Sequence, residues 1–378
     1  MVPQDQRPLN PSVPLVADKR MDPSVPASQS DGAALALLDL SLIMGTPMAL
    51  RAAITLGVPE ILARHSEPLT AEEILLEISG CKDKHDKLAA ENLRRILAIL
   101  VQNNVFSDES GEESGRSPLY GLTPLSKLLV DEPECKLMCS FEVHQQAKLT
   151  KAWLHLHEAV LDSSARPFEV ANGMTIWQAF SEDKELAAHF HSAFQSGVHS
   201  HAKIFLQGYD GFEGVQTLVD VGGSYGTLLG IIVQAKPHIR GINFDRPHII
   251  ASAPELPGVE HVGGDFFESV PKGDTILLKS ILHNWDDEQC IKILHNCRKS
   301  LPESGKVIII EEVLLPPSNT SCKSRVAHKM NVSMLATCDG KERYAEDWSN
   351  LISSAGFQRH RMITLPNSFF DIIEVPMS

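Results

Sequence analysis

The sequence predicts an α/β protein with a doubly wound, Rossmann-like sheet in its second half and a mostly helical winged-helix domain in its first half. From Thr217 onward, short apolar strands alternate with helical stretches, which is typical of a mostly parallel sheet with helices on both faces. Before residue 131, helical segments are followed by two short apolar segments around a Gly/Ser/Glu-rich stretch, which indicates a two-stranded wing. We divide the chain into a disordered tail, a winged-helix domain, a helical segment and a sheet domain, at residues 1–30, 31–130, 131–205 and 206–378.

The composition describes an ordinary globular protein without a strongly basic surface. Of the 378 residues, 43% are hydrophobic and 22% are charged, and the length predicts a catalytic domain plus a second unit. The net charge of −14 disfavours nucleic acid and anionic membranes as partners, because positive surface captures both. Seven cysteines without a CxxC pair favour reduced thiols. Since there is no signal pattern and no apolar run of about 18 residues, we expect a cytoplasmic protein.

The tail and the first helices differ in hydrophobicity. Residues 1–30 contain six prolines and little apolar periodicity, which predicts disorder. Over residues 31–64 the pattern becomes apolar and helical, and Leu56–Val58 predicts a helix end. Two helices as apolar as these are unsuited to exposure of their apolar faces to solvent in the assembled protein. We therefore expect them to be buried against the rest of the chain or against a partner subunit.

The remaining elements of this domain predict a winged helix. Thr70 and Glu73 form a capping-box pattern, and a stripe of apolar residues predicts a helix over 88–101. Val105–Phe106 and Tyr120–Thr123 predict the wing. Winged helices often bind DNA, but an acidic wing repels phosphate. The acidic residues of this wing are Asp108, Glu109, Glu112 and Glu113. We therefore expect dimerisation or a substrate lid instead of DNA binding.

The helical segment 131–205 is rich in aromatic residues and contains paired histidines. The pairs are His155 with His157, His189 with His191, and His199 with His201. Residues two apart lie on different faces of a helix, so these pairs are poor metal clamps. We expect the histidines to lie on the surface or in the core, and we interpret Phe190 and Phe194 as the lining of an aromatic pocket.

Three strand ends carry groups that suit a nucleoside cofactor. Leu218–Gly223 runs into a glycine loop, where backbone N–H groups can approach a ligand. Asp245 ends the second strand, where a carboxylate can accept both ribose hydroxyls. After the third strand, Asp265 can accept the adenine amino group and Phe266 can pack on the ring. Because the GxGxxG pattern of dinucleotide enzymes is missing, S-adenosylmethionine is favoured over a dinucleotide.

Several segments, in order, resemble the plant small-molecule O-methyltransferases, and most of all the caffeic acid type. The segments are Leu218–Gly223, Ile242–Asp245, Gly258–Asp265, Leu282–Trp285 and Gly340–Arg343, with Pro47–Ala53 and Gly211–Gly214, so the resemblance covers about 32–375. It implies a methyltransferase sheet that binds S-adenosylmethionine and leaves S-adenosyl-L-homocysteine as product. We expect no metal, because the Glu and His residues show no paired ligand spacing and the reaction needs no Lewis acid. The resemblance also implies that the winged-helix domain dimerises and contributes to the partner's substrate pocket, and hence a homodimer.

The resemblance places the cofactor at five residues. These are Gly222, Asp245, Asp265, Phe266 and Lys279. The glycine loop departs from the family, which usually has Gly-Gly-Gly-Thr-Gly where this chain has Ser224 third and Tyr225 fourth. If Ser224 needs a positive φ, its β-carbon costs on the order of 1 kcal/mol. We therefore expect a lower affinity for the cofactor than is usual in the family, but not its loss.

His283 is the candidate general base. Methyl transfer to oxygen needs positioning and an activated nucleophile, and a histidine with an ordinary pKa of about 6.5 can deprotonate a phenol with a pKa of about 10. His283 follows the predicted fourth strand, Thr275–Leu282, at the edge where doubly wound sheets bind ligands. The alternative is a loop histidine that caps the helix beginning near Asp286. The position of His283 beside Lys279 and the family resemblance favour a catalytic role for this histidine.

The resemblance also implies two carboxylates that fix the tautomer of this histidine. One ends the predicted fifth strand, 306–315, where counting from Gly305 selects Glu311 and counting back from Pro316 selects Glu312. Neighbouring residues of a strand point to opposite faces, so only one of them can serve, and we choose Glu311.

The second carboxylate is Glu342, for which the alternative is a solvent-exposed charge in a polar loop. Asn284 stands where the family usually has Asp, and because an amide cannot act as a carboxylate, Asn284 is no candidate base.

The resemblance places the acceptor pocket at five residues. These are His144, Phe190, Phe194, Met334 and Leu335. Asn331 stands where the family often has an acid, which would alter the recognition of a ring hydroxyl. An apolar sandwich with one or two polar anchors is the usual design of such a pocket. We predict methyl transfer to a phenolic hydroxyl of a phenylpropanoid such as caffeate. The alternatives are a flavonoid or other small phenol and, more distantly, a non-catalytic winged-helix binding protein.

Overall fold

The computed structural model of the chain describes residues 27–110, 117–130, 144–338, 340–366 and 368–377, without the side chains of residues 27–31, 191–197 and 200. Most of the predicted tail, part of the acidic wing and the beginning of the helical segment therefore lie outside the described residues.

The amino-terminal domain consists of helices and a two-stranded wing. Its helices are α1 (Ala27–Ser41), α2 (Gly45–Thr55), α3 (Val58–Ala63), α4 (Ala71–Glu77), α5 (Lys87–Gln102) and α6 (Pro124–Lys127). The predicted capping box is present at the start of α4, because Thr70 and Glu73 exchange hydrogen bonds. The predicted wing is formed by β1 (Phe106–Asp108) and β2 (Tyr120–Leu122), which pair antiparallel. Leu93 and Leu97 of α5 lie in the core of the domain.

Helix α1 is apolar and exposed in the single chain. Leu35, Leu37, Leu40 and Leu42 have 61–69% of their surface accessible. The sequence predicted burial of this helix either within its own chain or against a partner, and the structure removes the first option. Exposed apolar surface of this extent marks an interaction site. None of the described helices alone is long and apolar enough to cross a membrane, although Gly32–Ser41 and Gly45–Thr55, a bent pair, together reach that length and composition.

The described helices of the next segment are mostly short. They are α7 (Ala147–Ala152), α8 (Glu158–Leu161), α9 (Pro167–Asn172), α10 (Ile176–Glu182) and the long α11 (Lys184–Gly208), with a 3-10 turn at Trp153–His155. Phe168, Ala179 and Leu186 form an apolar cluster with Ala336. This cluster attaches the segment to the sheet domain.

The main sheet contains seven strands within the described residues, in the order β10-β11-β7-β6-β3-β4-β5. These are β3 (Thr217–Val221), β4 (Arg240–Asp245), β5 (Val259–Gly263), β6 (Thr275–Lys279), β7 (Lys306–Glu311), β10 (Arg361–Thr364) and β11 (Asp371–Pro376). Strands β3 to β7 are parallel, as predicted, whereas β11 pairs antiparallel with β7 and with β10. The two antiparallel strands were not predicted, because their apolar runs are short and Glu374 and Pro376 interrupt the second.

Helices cover both faces of this sheet. They are α12 (Thr227–Ala235), α13 (Pro247–Ile250), α14 (Asp287–Ser300), α15 (Cys322–Thr337) and α16 (Ala345–Ser354). Buried residues of α14 and α16 pack on one face, and those of α11 and α12 pack on the other. The sheet is thus doubly wound, which confirms the predicted fold class.

Two predicted strands are shorter than expected. Strand β6 ends at Lys279 because Ser280 has a positive φ of 54° and leads into a 3-10 turn at Leu282–Asn284. The predicted strand 306–315 is divided at Glu312, after which β8 (Val313–Leu314) leaves the main sheet and pairs with β9 (Arg343–Tyr344). Both breaks lie at the carboxyl edge of the sheet, where they free side chains to form a site.

The order of the strands positions that site. From β3 the chain continues to β4 and β5 on one side, and then crosses to β6 and β7 on the other. Ligands bind at the carboxyl ends of parallel strands next to such a switch point. The loops after β3, β4, β5 and β6 and the end of β7 carry the candidate cofactor and catalytic residues.

Candidate active site

The loop after β3 turns tightly against the neighbouring strand ends. Gly222 has a φ of 75°, and a β-carbon there would lie 2.4 Å from Cδ1 of Ile281. Glycine is therefore required at this position both by its backbone conformation and by the space around it. Ser224 also has a positive φ, of 54°, so the condition for strain at this position is met. The strain costs about 1 kcal/mol in a residue with a β-carbon.

Ser224 joins the glycine loop to β4. Its N–H donates to Oδ2 of Asp245 at 2.8 Å, and its carbonyl accepts a hydrogen bond from the Asn243 amide at 2.9 Å. Its hydroxyl is buried and has no hydrogen-bond partner among the described residues. A buried, unpartnered hydroxyl in a glycine loop suits a polar ligand.

Asp245 and Asp265 lie at neighbouring strand ends on either side of Arg246. Asp245 accepts the Arg246 N–H at 2.6 Å, and Asp265 forms an ion pair with the Arg246 guanidinium. The other oxygen of Asp265 accepts the N–H of Phe267 at 2.9 Å, and the rings of Phe266 and Phe267 make an edge contact at 4.9 Å. The structure therefore brings together the two predicted carboxylates and the predicted aromatic ring.

Asp220 and Lys279 line an open cavity beside the glycine loop. Burial raises the pKa of Asp220 to about 7 and lowers the pKa of Lys279 to about 8. Paired groups of this kind suit a ligand that carries both an ammonium and a carboxylate. Sequence reasoning placed Lys279 in the cofactor site but missed Asp220, although a carboxylate in an otherwise apolar strand is a signal that could have found it.

A second open cavity adjoins the first at Lys279. His201 and Phe370 form part of its wall with their ring centres 5.0 Å apart, and Nζ of Lys279 lies 4.5 Å from the ring centre of Phe370. His201 was expected on the surface or in the core, and the structure places its half-buried side chain at the wall of this open cavity. The sequence gives no signal for this contact, because it depends on the unpredicted strand β11, which brings Phe370 to Lys279.

His283 lies in the 3-10 turn after β6 and faces two carboxylates. Its Nδ1 is 2.8 Å from Oε1 of Glu342 and 3.6 Å from Oε2 of Glu311. Oε1 of Glu311 accepts the N–H groups of Ile281 and Leu282 at 2.8 Å each, which fixes the beginning of the turn. The structure thus brings together the three residues that were predicted to be catalytic.

The pKa of His283 is raised by this arrangement. Burial by itself would lower the pKa, but the negative charge of Glu311 and the hydrogen bond and charge of Glu342 outweigh it. Glu311 is fully buried, and burial raises the pKa of its carboxyl although the nearby imidazole opposes the change. With the Nδ1 hydrogen donated to Glu342, the lone pair of the neutral ring is on Nε2.

Glu312 is buried as well, but it does not lie within ion-pair distance of His283. Of the two neighbouring glutamates, only Glu311 does so, as the choice made from the sequence requires. Neither side-chain oxygen of Glu312 has a hydrogen-bond partner among the described residues. Burial, together with the charges of Glu342 and Glu311, raises the pKa of Glu312 to about 10. Glu312 is therefore a neutral carboxylic acid at physiological pH.

The three catalytic candidates also form a possible metal-binding group. One ligand atom from each of His283, Glu311 and Glu342 can be chosen so that all three lie within 4.8 Å of one another. Spacing along the chain gave no sign of this, because residues from three separate segments meet only in the fold. An imidazole with two carboxylates is a donor set that divalent ions accept. The independence from metal therefore stays a prediction.

Two asparagines support the 3-10 turn at Leu282–Asn284, the proposed catalytic turn. The Asn284 amide donates to the carbonyls of Ser280 and Ile281 at 3.1 and 3.3 Å. Oδ1 of Asn331 accepts the N–H of Glu342 at 3.0 Å. The sequence suggested that Asn331 alters the recognition of a ring hydroxyl, whereas in the structure its oxygen holds the backbone of Glu342.

Of the predicted acceptor residues, Leu335 lies beside the turn that carries His283. Leu335 and Asn284 line an open cavity of about 720 Å³ together with Trp177 and Trp285, whose rings stack at 5.9 Å. Phe190 packs on Phe180 at 4.5 Å.

The other three predicted acceptor residues are Met334, His144 and Phe194. Sδ of Met334 contacts the Cys338 thiol at 3.8 Å. His144 is exposed, and the side chain of Phe194 lies outside the described residues.

The fold and the site define a class of protein. A doubly wound sheet with a glycine loop after β3, and carboxylates after the next two strands, is that of an S-adenosylmethionine-dependent methyltransferase. The chain belongs to the O-methyltransferase family. Residues 153–358 match the O-methyltransferase domain, and residues 38–132 match the O-methyltransferase dimerisation domain. The resemblance inferred from the sequence is confirmed.

Similar proteins act on varied substrates. Nicotinate N-methyltransferase 1 of Glycine max is 36% identical over 364 residues, which cover 94% of this chain and 99% of that protein. Caffeic acid 3-O-methyltransferase of Zea mays is 39% identical over 324 residues, or 82% of this chain and 87% of that protein. The solved structure of CalO1, a methyltransferase in calicheamicin biosynthesis in its SAH-bound form, is 27% identical with a TM-score of 0.79 and covers 93% of this chain and 99% of that one. The chain is therefore a methyltransferase that uses S-adenosylmethionine.

Proposed function

We propose that the enzyme transfers a methyl group to a phenolic hydroxyl of a phenylpropanoid such as caffeate, with His283 as the general base. The observation that carries this proposal is the contact between Nδ1 of His283 and Glu342 at 2.8 Å, with Glu311 at 3.6 Å. Two buried carboxylates behind an imidazole leave its other nitrogen to accept a proton and stabilise the imidazolium that results.

His283, Glu342 and Glu311 have separate roles in the proposed reaction. Bound S-adenosylmethionine supplies an electrophilic methyl group on a sulfonium. Nε2 of His283 would accept the phenolic proton while the phenol oxygen bonds to the methyl carbon, the carbon–sulfur bond breaks and S-adenosylhomocysteine leaves as a neutral thioether. The positive charge of the sulfonium would thereby pass to the imidazole. Glu342 keeps the ring orientation through Nδ1, and Glu311 keeps the turn in place through Ile281 and Leu282. The raised pKa of His283 makes it a stronger base for a phenol.

We assign the cofactor to the groups around the glycine loop. Asp245 would accept the ribose hydroxyls, and Asp265 with Phe266 would hold the adenine, because these groups lie at neighbouring strand ends. Gly222 lets the loop backbone approach the ligand. Lys279 and Asp220 would pair with the carboxylate and the ammonium of the methionine moiety.

We assign the acceptor to the predicted aromatic pocket. Leu335 supplies an apolar wall next to Asn284, and Phe190 extends a series of aromatic contacts that runs through Phe180 to Trp177. Met334, His144 and Phe194 are proposed to complete the pocket. Apolar walls with few polar anchors suit a flat phenol.

We further propose that the enzyme is a homodimer. The dimerisation domain at residues 38–132 and the exposed leucines of α1 support this assembly. A second copy of the chain would cover an apolar surface that the single chain leaves in water.

A second acceptor class is favoured by one comparison. The similarity to the nicotinate N-methyltransferase covers 99% of that protein, whereas the similarity to the caffeic acid enzyme covers 87% of it. A pyridine nitrogen carries its own lone pair at neutral pH, so methylation of nicotinate would not need His283 as a base. A flavonoid or another small phenol remains the alternative among oxygen acceptors.

One experiment separates these classes. The enzyme is incubated with labelled S-adenosylmethionine and a panel of caffeate, a flavonoid catechol and nicotinate, and the methylated atom is identified by NMR. Methyl transfer to a phenol that is lost in His283→Ala supports the first proposal. Methyl transfer to the nicotinate nitrogen that survives His283→Ala would replace it with the second.

A further inference from the structure

Arg343, the residue after Glu342, is fully buried, and its guanidinium has a partner for every N–H. Nε donates to Oδ1 of Asp287 at 3.0 Å, and Nη2 donates to the same oxygen at 2.8 Å and to the Trp285 carbonyl at 2.9 Å. Nη1 donates to the carbonyls of Leu282 at 3.0 Å and Lys341 at 3.4 Å. The five N–H groups of the side chain are thereby satisfied.

The residues that Arg343 contacts lie on both sides of His283 in the sequence. Leu282 precedes His283, Trp285 follows it by two residues, and Asp287 begins α14. A backbone hydrogen bond adds to these contacts, since the Lys341 N–H donates to the His283 carbonyl at 2.9 Å. A β-carbon on Gly340 would lie 1.9 Å from that carbonyl, so the two segments are in close contact.

We infer that Arg343 is a positioning residue that fixes the segment carrying Glu342 against the turn carrying His283. This inference rests on the proposed role of His283 as the general base. The distance of 2.8 Å between His283 and Glu342 depends on the relative position of two segments that are far apart in the sequence. Arg343 is the side chain that bonds to both sides of the catalytic turn from the position next to Glu342.

Lysine cannot replace Arg343 in this role. Its ammonium is a point charge that can pair with Asp287, but it lacks the planar fork that reaches Leu282 and Trp285 together. The exchange Arg343→Lys therefore keeps the local charge while it removes the geometry. If the contact of Glu342 with His283 loosens, the pKa of His283 falls toward its ordinary value, because Glu342 is one of the groups that raise it.

The test is an NMR titration of full-length enzyme with labelled histidine rings, in which His283 is assigned by its loss in His283→Gln. In the wild type we expect a pKa of His283 above 6.5, and in Arg343→Lys a pKa closer to 6.5. We also expect a kcat about 10- to 100-fold lower, because small displacements of catalytic groups have effects of this size. The affinity for S-adenosylmethionine, measured by calorimetry, should be unchanged.

The matched control is Arg298→Lys. The Arg343 guanidinium lies 5.5 Å from the centre of the Trp348 ring. The Arg298 guanidinium lies similarly, 6.0 Å from the Phe357 ring, but near the other end of α14. The Arg298→Lys variant should have the wild-type pKa of His283 and the wild-type kcat. If Arg343→Lys does not fold, Asp287→Asn weakens the same clamp from its exposed side and should shift the pKa of His283 in the same direction.

The outcomes are distinct. An Arg343→Lys enzyme with the wild-type pKa of His283 and the wild-type kcat would overturn the inference. A shifted pKa in Arg343→Lys together with full activity of His283→Ala would retain the positioning role and remove the proposed base. The titration therefore separates a failure of this inference from a failure of the proposed function.

Discussion

Asn331 on α15 holds Glu342, because its Oδ1 accepts the Glu342 N–H at 3.0 Å while the Glu342 carboxylate contacts His283 at 2.8 Å. The proposed base, its carboxylate and the support of that carboxylate therefore come from three separate segments. Each residue of this series is held by the next, so the position of the imidazole depends on contacts between all three segments.

Replacement of His283 by alanine should reduce methyl transfer to a phenol by about 10²- to 10⁴-fold and leave cofactor affinity unchanged. The residual rate should increase as the pH approaches the pKa of the phenol, about 10, because the substrate must then ionise without help. In the wild type, activity should rise with pH through the pKa of His283, which lies above 6.5. The measurement is kcat/KM as a function of pH.

The carboxylates provide the control for this profile. Glu342→Gln removes a charge that raises the pKa of His283, so the rise in activity should move to lower pH. Glu342→Gln and Glu311→Gln should each cost less activity than His283→Ala, because they orient the base and do not accept the proton. Wild-type turnover at neutral pH in His283→Ala would show that another group, or none, removes the proton.

Replacement of Asp245 by alanine should weaken the binding of S-adenosylmethionine by about 10- to 100-fold, the usual worth of hydrogen bonds to a charged group. Isothermal calorimetry with the cofactor and with S-adenosylhomocysteine measures the change. Asp210→Ala removes an exposed carboxylate that follows α11 and should bind like the wild type. Equal affinity in Asp245→Ala and the wild type would remove the assignment of the ribose site.

Replacement of Ser224 by glycine should tighten cofactor binding by up to about fivefold, because it removes about 1 kcal/mol of strain from a residue with φ of 54°. Asn104→Gly is the matched control, since Asn104 has a similar φ of 56° in the amino-terminal domain. The Asn104→Gly variant should have a higher melting temperature and an unchanged affinity for the cofactor. Weaker binding in Ser224→Gly would mean that the unpartnered hydroxyl, and not the strain, governs affinity.

Introduction of glutamate at Leu37 and Leu40 should convert a dimer into a monomer, because both side chains are exposed on α1 and charge opposes burial of this surface. Light scattering should show a mass near 41.5 kDa for the variant and twice that for the wild type. Leu76→Glu, on α4 with 42% of its surface exposed, is the control and should remain dimeric. A monomeric wild type at micromolar concentration would contradict the proposed assembly.

Removal of divalent metal should leave activity unchanged, because the imidazole already forms, with Glu342, the hydrogen bond that the proposed base requires. The measurement is turnover after dialysis against a chelator, with and without added Mg²⁺. Loss of activity that Mg²⁺ restores would show that His283, Glu311 and Glu342 are metal ligands, as their separation of at most 4.8 Å allows.

The sequence predicted those features that depend on local pattern. The capping box at Thr70, the wing, and strands β3 to β7 follow from spacing and periodicity, and the motifs around Asp245 and His283 place them at strand ends. Features that depend on contact between distant segments were missed. Strand β11, which brings Phe370 to Lys279, is the clearest case. Its apolar run is too short to predict a strand by itself, and it forms one by pairing with β7.

Local pattern also left the surroundings of two individual residues open. His201 was expected on the surface or in the core and lies at a cavity wall. Asp220 was part of the strand motif but not of the predicted site, although its buried carboxyl faces the cavity beside Lys279. In both cases the function of the side chain depends on which element packs over it, and a single sequence does not contain that information.

The neutral carboxyl of Glu312 makes folding itself a proton-uptake reaction. An unfolded chain at neutral pH has this group ionised, since its ordinary pKa is 4.5, whereas the folded protein holds the proton up to about pH 10. Between these values the native state binds one proton more than the unfolded state, so the contribution of Glu312 to stability falls by about 1.4 kcal/mol for each unit of rising pH. The protonation of Glu312 therefore makes the folded state less stable relative to the unfolded chain as the pH rises toward 10.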